Sequence, residues 1–393
     1  MMNLRKISAK ADGRLIRAYL TEHTALTPPM PEEHQGKVLA TYYGRDARAT
    51  WRADMAPEVA AALGIDTTAG PTEQALDRLF EAKRADTGEA WSQAPRDISA
   101  VDFVTSVEKS VSLAITFARS DEERAALLQA VWRANDRAMR YVGQELGWAR
   151  RGAGGQDGAE PGQVGWVSFM HFQARPTLAL QDGPDGQTYV MDVAVPGDPQ
   201  VHVHNPMFNL VVTEGGHVGS LDTAEMQGRV KEFGATFQGF LANELDRLGI
   251  GTEYDKGEQA IAISCIPEEV REAFSKGHKA TVHKAKRYAR DQGLDWEALG
   301  VERKLEILAN TAQNTKLSKD DGPRDERSWR EQADKLGWRH ETAITGERRH
   351  STGGGLCHRV MPRPSSSIRA PEYCPSTWSS VRLKTRLNST IRP

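Results

Sequence analysis

The chain has 393 residues, 39% of them apolar and 26% charged, with a formal net charge of −2. That length suits one large domain or two medium ones with a proper core, and the composition is that of a soluble globular protein. No apolar run reaches the length of a membrane span and the N-terminus reads as no export signal, while three unclustered cysteines (Cys265, Cys357, Cys374) exclude a disulfide framework and lead us to expect a cytoplasmic protein.

Taken in chain order, "MMNLRKIS" reads as a short strand and "ADGRLIRAYLTEH" (11–23), with Tyr19, as a weak helix. A Pro-rich loop (24–35) leads to "VLATYYGRDARATWR", which holds Tyr42, Tyr43 and Trp51. Residues 56–64 and 71–85 look helical, the first closed by Gly64. "DFVTSVEKSVSLAITFA" (102–118) starts as a strand and turns helical around Lys109. Ser120, with Glu123 three residues on, caps a long helix reaching about Leu146. "RRGAGGQDGAEPGQ" (150–163) reads as a Gly-rich surface loop with no strand leading into it as a phosphate loop would need.

Three β segments follow: 164–172, ending near His171; 187–195; and 201–212, which contains His202 and His204 and runs to a Gly215-Gly216 hairpin. A helix is expected over 223–248, with Met226, Val230, Phe233, Phe237 and Leu241 on one stripe and Gly249 as its stop. A hairpin turns at Lys256-Gly257, Pro267 opens a helix, and 267–337 is mostly helical and locally basic. Near residue 348 the composition changes and sustained periodicity is lost, and residues 341–393 read as a disordered or frameshifted tail behind a domain over 1–340. From residue 348 onward nine Arg and Lys face only Glu372, which leaves 42 basic against 52 acidic residues in 1–347. Any nucleic-acid contact in the body must therefore come from local basic patches.

The stretch "DPQVHVHNPMFN" (198–209) carries the chemistry. On a strand, His202 and His204 project from one face, and neutral imidazoles so spaced can grip one divalent ion. Two are too few for a stable site, but a neighbouring strand could bring His171 alongside. Three histidines would leave positions open for substrate oxygens, as a catalytic metal needs. An isolated His-x-His is more often a pair of ordinary surface or core histidines. Asp102 could orient such an imidazole or take a proton from a nucleophile; the alternative is a solvated strand-edge aspartate. Tyr19, Tyr42 and Tyr43 are candidate nucleophiles, although most buried tyrosines only pack and hydrogen-bond.

Together these stretches resemble the conjugative relaxases of the TrwC/TraI type, in the HUH endonuclease superfamily. "DFVTSVEKSVSL" is similar to their D-[LF]-T-F-S-x-P-K-S-V-S strand, "DPQVHVH" to [DE]-P-Q-L-H-T-H, and "FMH" to F-x-H. "ATYYGRDARATWRADMAPEVAAALG" is similar to their tyrosine-pair stretch, and the likeness covers about residues 1–340. The resemblance implies an α+β fold, with a central antiparallel sheet that carries a three-His metal site, flanking helices and a helical C-terminal part. It implies that His171, His202 and His204 hold a divalent ion, Mg or Mn with Zn as an alternative. Asp102 would assist, and Tyr19, then Tyr42 or Tyr43, would attack DNA.

The implied activity is strand-specific nicking and transesterification at a plasmid origin of transfer through a 5′-phosphotyrosyl intermediate. Implied partners are origin DNA (a hairpin plus single strand), a conjugative coupling protein and accessory DNA-binding proteins. The sequence departs from the pattern: the interval from His171 to His202 is long, Pro206 follows the His-x-His, Val107-Glu108 replaces Ala-Pro, and the first tyrosine is single. Candidate phosphate contacts are Lys109 and, on the basic stretch 275–290, Lys276, Lys279, Lys284 and Arg287; a merely solvated basic helix face is the alternative. Trp51 is a candidate for base stacking, whereas the β pattern around Trp166 marks it as core. Two other functions fit the same residues: an origin-binding remnant that does not nick, and a metal-dependent hydrolase unrelated to DNA.

Overall fold

Continuous apolar character on both faces of a strand requires that strand to be covered on both sides and flanked by others. Three segments meet this condition and form the middle of the fold. The computed structural model describes residues 2–21, 51–66, 72–92, 96–152, 156–174, 178–181, 188–191, 197–223, 226–301, 303–304, 306–308 and 326–340. Tyr42, Tyr43 and the tail 341–393 lie outside them.

The elements, in chain order, begin with β1 (Met2–Ser8), α1 (Gly13–Thr21), β2 (Trp51–Met55), α2 (Pro57–Leu63), α3 (Glu73–Phe80), β3 (Ile98–Ser106), α4 (Lys109–Thr116) and α5 (Asp121–Leu146). They continue with β4 (Trp148–Arg150), β5 (Ala159–Gln163), β6 (Gly165–Gln173), β7 (Leu178–Gln181), β8 (Thr188–Met191), β9 (Pro199–Phe208), β10 (Val211–Thr213) and β11 (Val218–Gly219). The last are α6 (Met226–Arg247), β12 (Thr252–Asp255), β13 (Ala260–Ile263), α7 (Glu268–Ala273), α8 (Lys276–Asp291) and α9 (Glu326–Lys335).

The central sheet has the order β1-β3-β9-β6-β2, and every neighbouring pair is antiparallel. This is the α+β arrangement expected, with β9 at its centre. A second sheet runs β11-β10-β5-β4, and β7-β8 and β12-β13 are separate hairpins. Within the Gly-rich segment 150–163, Ala159–Gln163 form β5, paired with β4; the alternating exposure of β5 kept it from reading as a strand. The run 201–212 is two strands, because Asn209 breaks the ladder: its Nδ2 donates to Ile98 O at 2.9 Å and its Oδ1 accepts from Leu221 N at 2.9 Å.

Side-chain alternation divides the sheet's two faces. On one, Val101, Phe103, Met207 and Trp166 pack against α5 and α6 through Met139, Val142 and Phe233. The rings of Phe103 and Phe233 lie edge to face at 6.4 Å, a pairing of about 0.5–1.5 kcal/mol beyond area burial. Helix α5 forms where expected, with Ser120 Oγ accepting from Glu123 N at 3.2 Å. The Glu123 carboxylate in turn reaches back to accept from Arg119 N at 2.9 Å. On α6, Met226, Phe233, Phe237 and Leu241 are buried as read, and Val230 is half-buried.

On the other face, Ile7, Ala100, Phe169 and Phe208 pack under α1, α2 and α3 through Leu20, Leu63 and Leu79. Helix α2 ends at Gly64, whose φ of 70° supplies the left-handed cap. Helix α1 docks on α3 through Arg17, whose Nε donates to Asp77 Oδ1 at 2.7 Å. Contact at its first residue is closer still: a Cβ on Gly13 would lie 2.0 Å from Asp77 O. Gly13→Ala is therefore expected to lift α1 from α3 and cost about 1–3 kcal/mol in urea denaturation. Unchanged stability would show that α1 can shift without loss.

Candidate metal and nucleic-acid site

The histidines meet because of strand register. In the β6–β9 ladder His171 lies directly opposite His202, and Phe169 lies opposite His204. In the β3–β9 ladder Val104 faces His204, and Asp102 sits two residues further along, opposite Pro206. Directly opposed residues share a face, so all three imidazoles and Asp102 project to the side covered by α1. Ring centroids are 5.1 Å apart for His171–His202, 4.6 Å for His171–His204 and 5.2 Å for His202–His204. One ring nitrogen from each lies within 4.8 Å of the others, the spacing of a set that can enclose a single cation.

Neighbouring groups orient the rings. His204 Nδ1 donates to Asp102 Oδ2 at 2.6 Å, and Asp102 Oδ1 accepts from Asn205 N at 3.0 Å. His202 Nδ1 donates to Gln200 O at 2.9 Å. A carbonyl or carboxylate only accepts, so both rings carry their proton on Nδ1 and present Nε2 as the coordinating nitrogen. His171 Nε2 donates to Leu20 O at 2.7 Å, which sets the last turn of α1 against the cluster. That turn also brings the negative end of a helix dipole toward the place a cation would occupy. Asp102, His171 and His204 are 2%, 2% and 4% exposed, whereas His202 is half-buried, so the cluster opens to solvent on the His202 side. The donor set, its spacing and its outer hydrogen bonds fit a divalent ion.

The other sequence candidates fall in different surroundings. Tyr19 lies on α1 beside Leu20, but its side chain is outside the described residues. Asp102 is buried rather than solvated at a strand edge. Trp166 is core, 5% exposed; Trp51 opens β2 with its side chain outside the described residues.

Lys109, a candidate phosphate contact, is turned inward: its Nζ donates to Pro199 O at 2.6 Å, tying α4 to β9. Burial pushes its ammonium down to about 8, against opposing pulls from Asp198 and Glu108. On α8, Lys276 is also engaged: Nζ lies 3.2 Å from Asp198 Oδ1 and its backbone N donates to Asp198 Oδ2 at 2.6 Å. Arg287 is exposed, and the side chains of Lys279 and Lys284 lie outside the described residues. Composition marked this segment as basic but could not show which charges are already spent on internal partners.

Asn135, Asn205 and Asp198 escaped the sequence reading. A visible signal existed for Asn135, a lone polar residue on the apolar stripe of α5 between Val131 and Ala138.

Among the described residues, no helix is long and apolar enough to cross a membrane. No match was found among curated proteins. A metal-bound structure of the conjugative relaxase TrwC in complex with oriT DNA aligns at a TM-score of 0.58 and 19% identity, covering 86% of this chain and 99% of that chain. A copper-bound TrwC–oriT complex aligns at a TM-score of 0.60 and 21% identity, with the same coverage of 86% and 99%. TrwC bound to a 27-mer DNA comprising the recognition hairpin and cleavage site aligns at 0.56 and 19% identity, again covering 86% and 99%. At these identities the likeness is one of fold. The family model described as TrwC relaxase matches residues 14–336, most of the 393-residue chain, and the protein therefore belongs to the TrwC relaxase family.

Proposed function

We propose that this chain nicks one DNA strand at an origin of transfer by transesterification, forming a 5′-phosphotyrosyl link that starts conjugative transfer. The observation that carries the reading is the convergence of His171, His202 and His204 beside Asp102, under the helix that bears Tyr19. The relatives' complexes with oriT DNA, one of them with the recognition hairpin and cleavage site, support the same substrate here.

The three imidazoles would hold a divalent ion. When bound, that ion offsets charge developing on the scissile phosphate. All-imidazole ligation favours a transition ion such as Mn²⁺ or Zn²⁺ over Mg²⁺, which prefers oxygen donors. Tyr19 is the proposed nucleophile, with Tyr42 and Tyr43 as the alternatives. Its phenol oxygen bonds to phosphorus as the P–O3′ bond breaks. The phenol loses its proton and the leaving 3′-oxygen gains one, ending as a free hydroxyl. Both oxygens of Asp102 are already engaged, which favours orienting His204 over accepting the phenol proton. Arg287, Lys279 and Lys284 remain proposed phosphate contacts, whereas the inward bonds of Lys109 and Lys276 favour a scaffolding part for them. Such a role requires a conjugative coupling protein and accessory DNA-binding proteins as partners, acting in the cytoplasm.

Incubation with a labelled single-stranded origin oligonucleotide and Mn²⁺ should yield a protein–DNA adduct that survives denaturation. The adduct should disappear in Tyr19→Phe and in His202→Ala, while His202→Ala keeps most of its DNA affinity, because phosphate contacts elsewhere dominate binding. Undiminished cleavage by His202→Ala would sink the metal site. Loss of the adduct in Tyr42→Phe or Tyr43→Phe, with Tyr19→Phe active, would move the nucleophile and keep the class. Asp102→Asn should weaken Mn²⁺ binding about 10–100-fold by calorimetry, since an amide cannot hold the His204 proton as a carboxylate does. Equal affinity in that variant would remove Asp102 from the site.

A further inference from the structure

Behind the histidines, on the opposite face of the same three strands, lies a closed set of buried amides and hydroxyls that the proposed chemistry does not use. Asn205 of β9 and Asn135 of α5 are joined by reciprocal bonds, Asn135 Nδ2 to Asn205 Oδ1 at 2.9 Å and Asn205 Nδ2 to Asn135 Oδ1 at 3.0 Å. Ser168 of β6 donates to Asn205 Oδ1 at 2.6 Å, and Thr105 of β3 donates to Asn135 Oδ1 at 2.8 Å. Asn205 Nδ2 also donates to Phe103 O of β3 at 2.8 Å. Both asparagines are 0% exposed. The set thus touches each of the strands that carry Asp102, the His202–His204 pair and His171.

Strand β9 needs such a device. It is largely buried on both faces, and burial penalises a one-residue slip, which would exchange the faces, but not a two-residue slip, which returns every side chain to its own face. Val201, Val203 and Met207 share a face with Asn205. A slip of two residues would therefore keep apolar groups on their proper faces. It would also move His202 and His204 by about 7 Å relative to His171. In the slipped ladder Asn205 would leave Asn135 and Ser168 behind, and buried amides without partners are costly. Its own backbone N–H holds Asp102 Oδ1, so the same residue fixes the carboxylate that orients His204.

We infer that the Asn135–Asn205 amide pair positions the metal site by setting the register of β3, β9 and β6, without touching ion or DNA. The inference rests on the metal-site reading above.

The test compares Asn135→Leu with the double variant Asn135→Leu/Asn205→Leu. The single variant strands the partners of Asn135 and should melt at a lower temperature. Replacing both amides by apolar groups of similar size removes the stranded Asn205 amide, although Ser168, Thr105 and Phe103 O lose a partner, and should recover part of that loss. The double variant should nonetheless bind Cu²⁺ at least about 10-fold more weakly, with an electron paramagnetic resonance spectrum split into more than one species. Recovered stability together with full Cu²⁺ affinity and a single unchanged spectrum would overturn the inference.

Should the double variant not fold, Ser168→Ala and Asn135→Ala each remove links from the set. Graded loss of Cu²⁺ affinity at unchanged circular dichroism supports the role, and unchanged affinity overturns it. If the unaltered protein binds Cu²⁺ no better than His202→Ala/His204→Ala, the metal reading fails separately. Register is then read from Met170→Cys/Val203→Cys, two directly opposed positions. A disulfide that forms with both asparagines present and not in the double-Leu background supports the role; one that forms in both overturns it.

Discussion

The site depends on one pairing: β6 against β9, with His171 opposite His202. Antiparallel neighbours place opposed side chains about 5 Å apart on one face, which is the separation two ligands of one cation need. The two residues are far apart along the chain, and among the described residues it is this ladder that sets them opposite one another. The same face that carries the imidazoles continues into Phe169, Phe208 and Ala100, packed under α1, α2 and α3. The cluster is therefore the open end of an apolar layer and takes its rigidity from that layer.

Helix α1 connects this scaffold to the chemistry. Gly13 allows its start to sit close on α3, Arg17 bonds to Asp77, and Leu20 O meets His171. A nine-residue helix held at both ends in this way has little freedom to tilt. Its last turn thus stays near the cluster, without relying on the marginal stability of a short isolated helix. Under the proposed mechanism, the cost of ordering Tyr19 next to a phosphate would be met during folding instead of at the encounter with DNA.

Much of this was legible in the sequence, for reasons particular to each residue. A two-residue spacing on a strand places His202 and His204 on one face whatever surrounds them. Ser120 and Glu123 mark a helix start by local hydrogen bonding alone, and Gly64 and Gly249 mark helix ends by backbone freedom. Long-range facts were hidden. Strand order, the engagement of Lys109 and Lys276, and the pairing of Asn135 with Asn205 all involve partners distant in sequence. The break at Asn209 was hidden for a different reason: its side chain takes over ladder bonds without any glycine or proline to announce a turn.

The two stretches that carry the family resemblance clamp each other, and this explains why they read as motifs rather than as scattered ligands. Asp198 receives the first N–H of α8, Pro199 O accepts from Lys109, and Gln200 Nε2 donates to Val107 O. Gln200 O in turn holds His202, while Val201 N donates to Ser112 Oγ. On the opposing stretch, Glu108 caps α4 and Ser110 Oγ accepts from Ile263 N. Of these two stretches Asp102, His202 and His204 face the cluster; the other polar groups named here hold the strand where those rings belong. The replacement of Ala-Pro by Val107-Glu108 fits this view. Val107 packs into the core and Glu108 supplies the helix cap, so a departure in sequence preserves the mechanical task. A metal site built from rigid strands can in this way keep its geometry while the residues that brace it change.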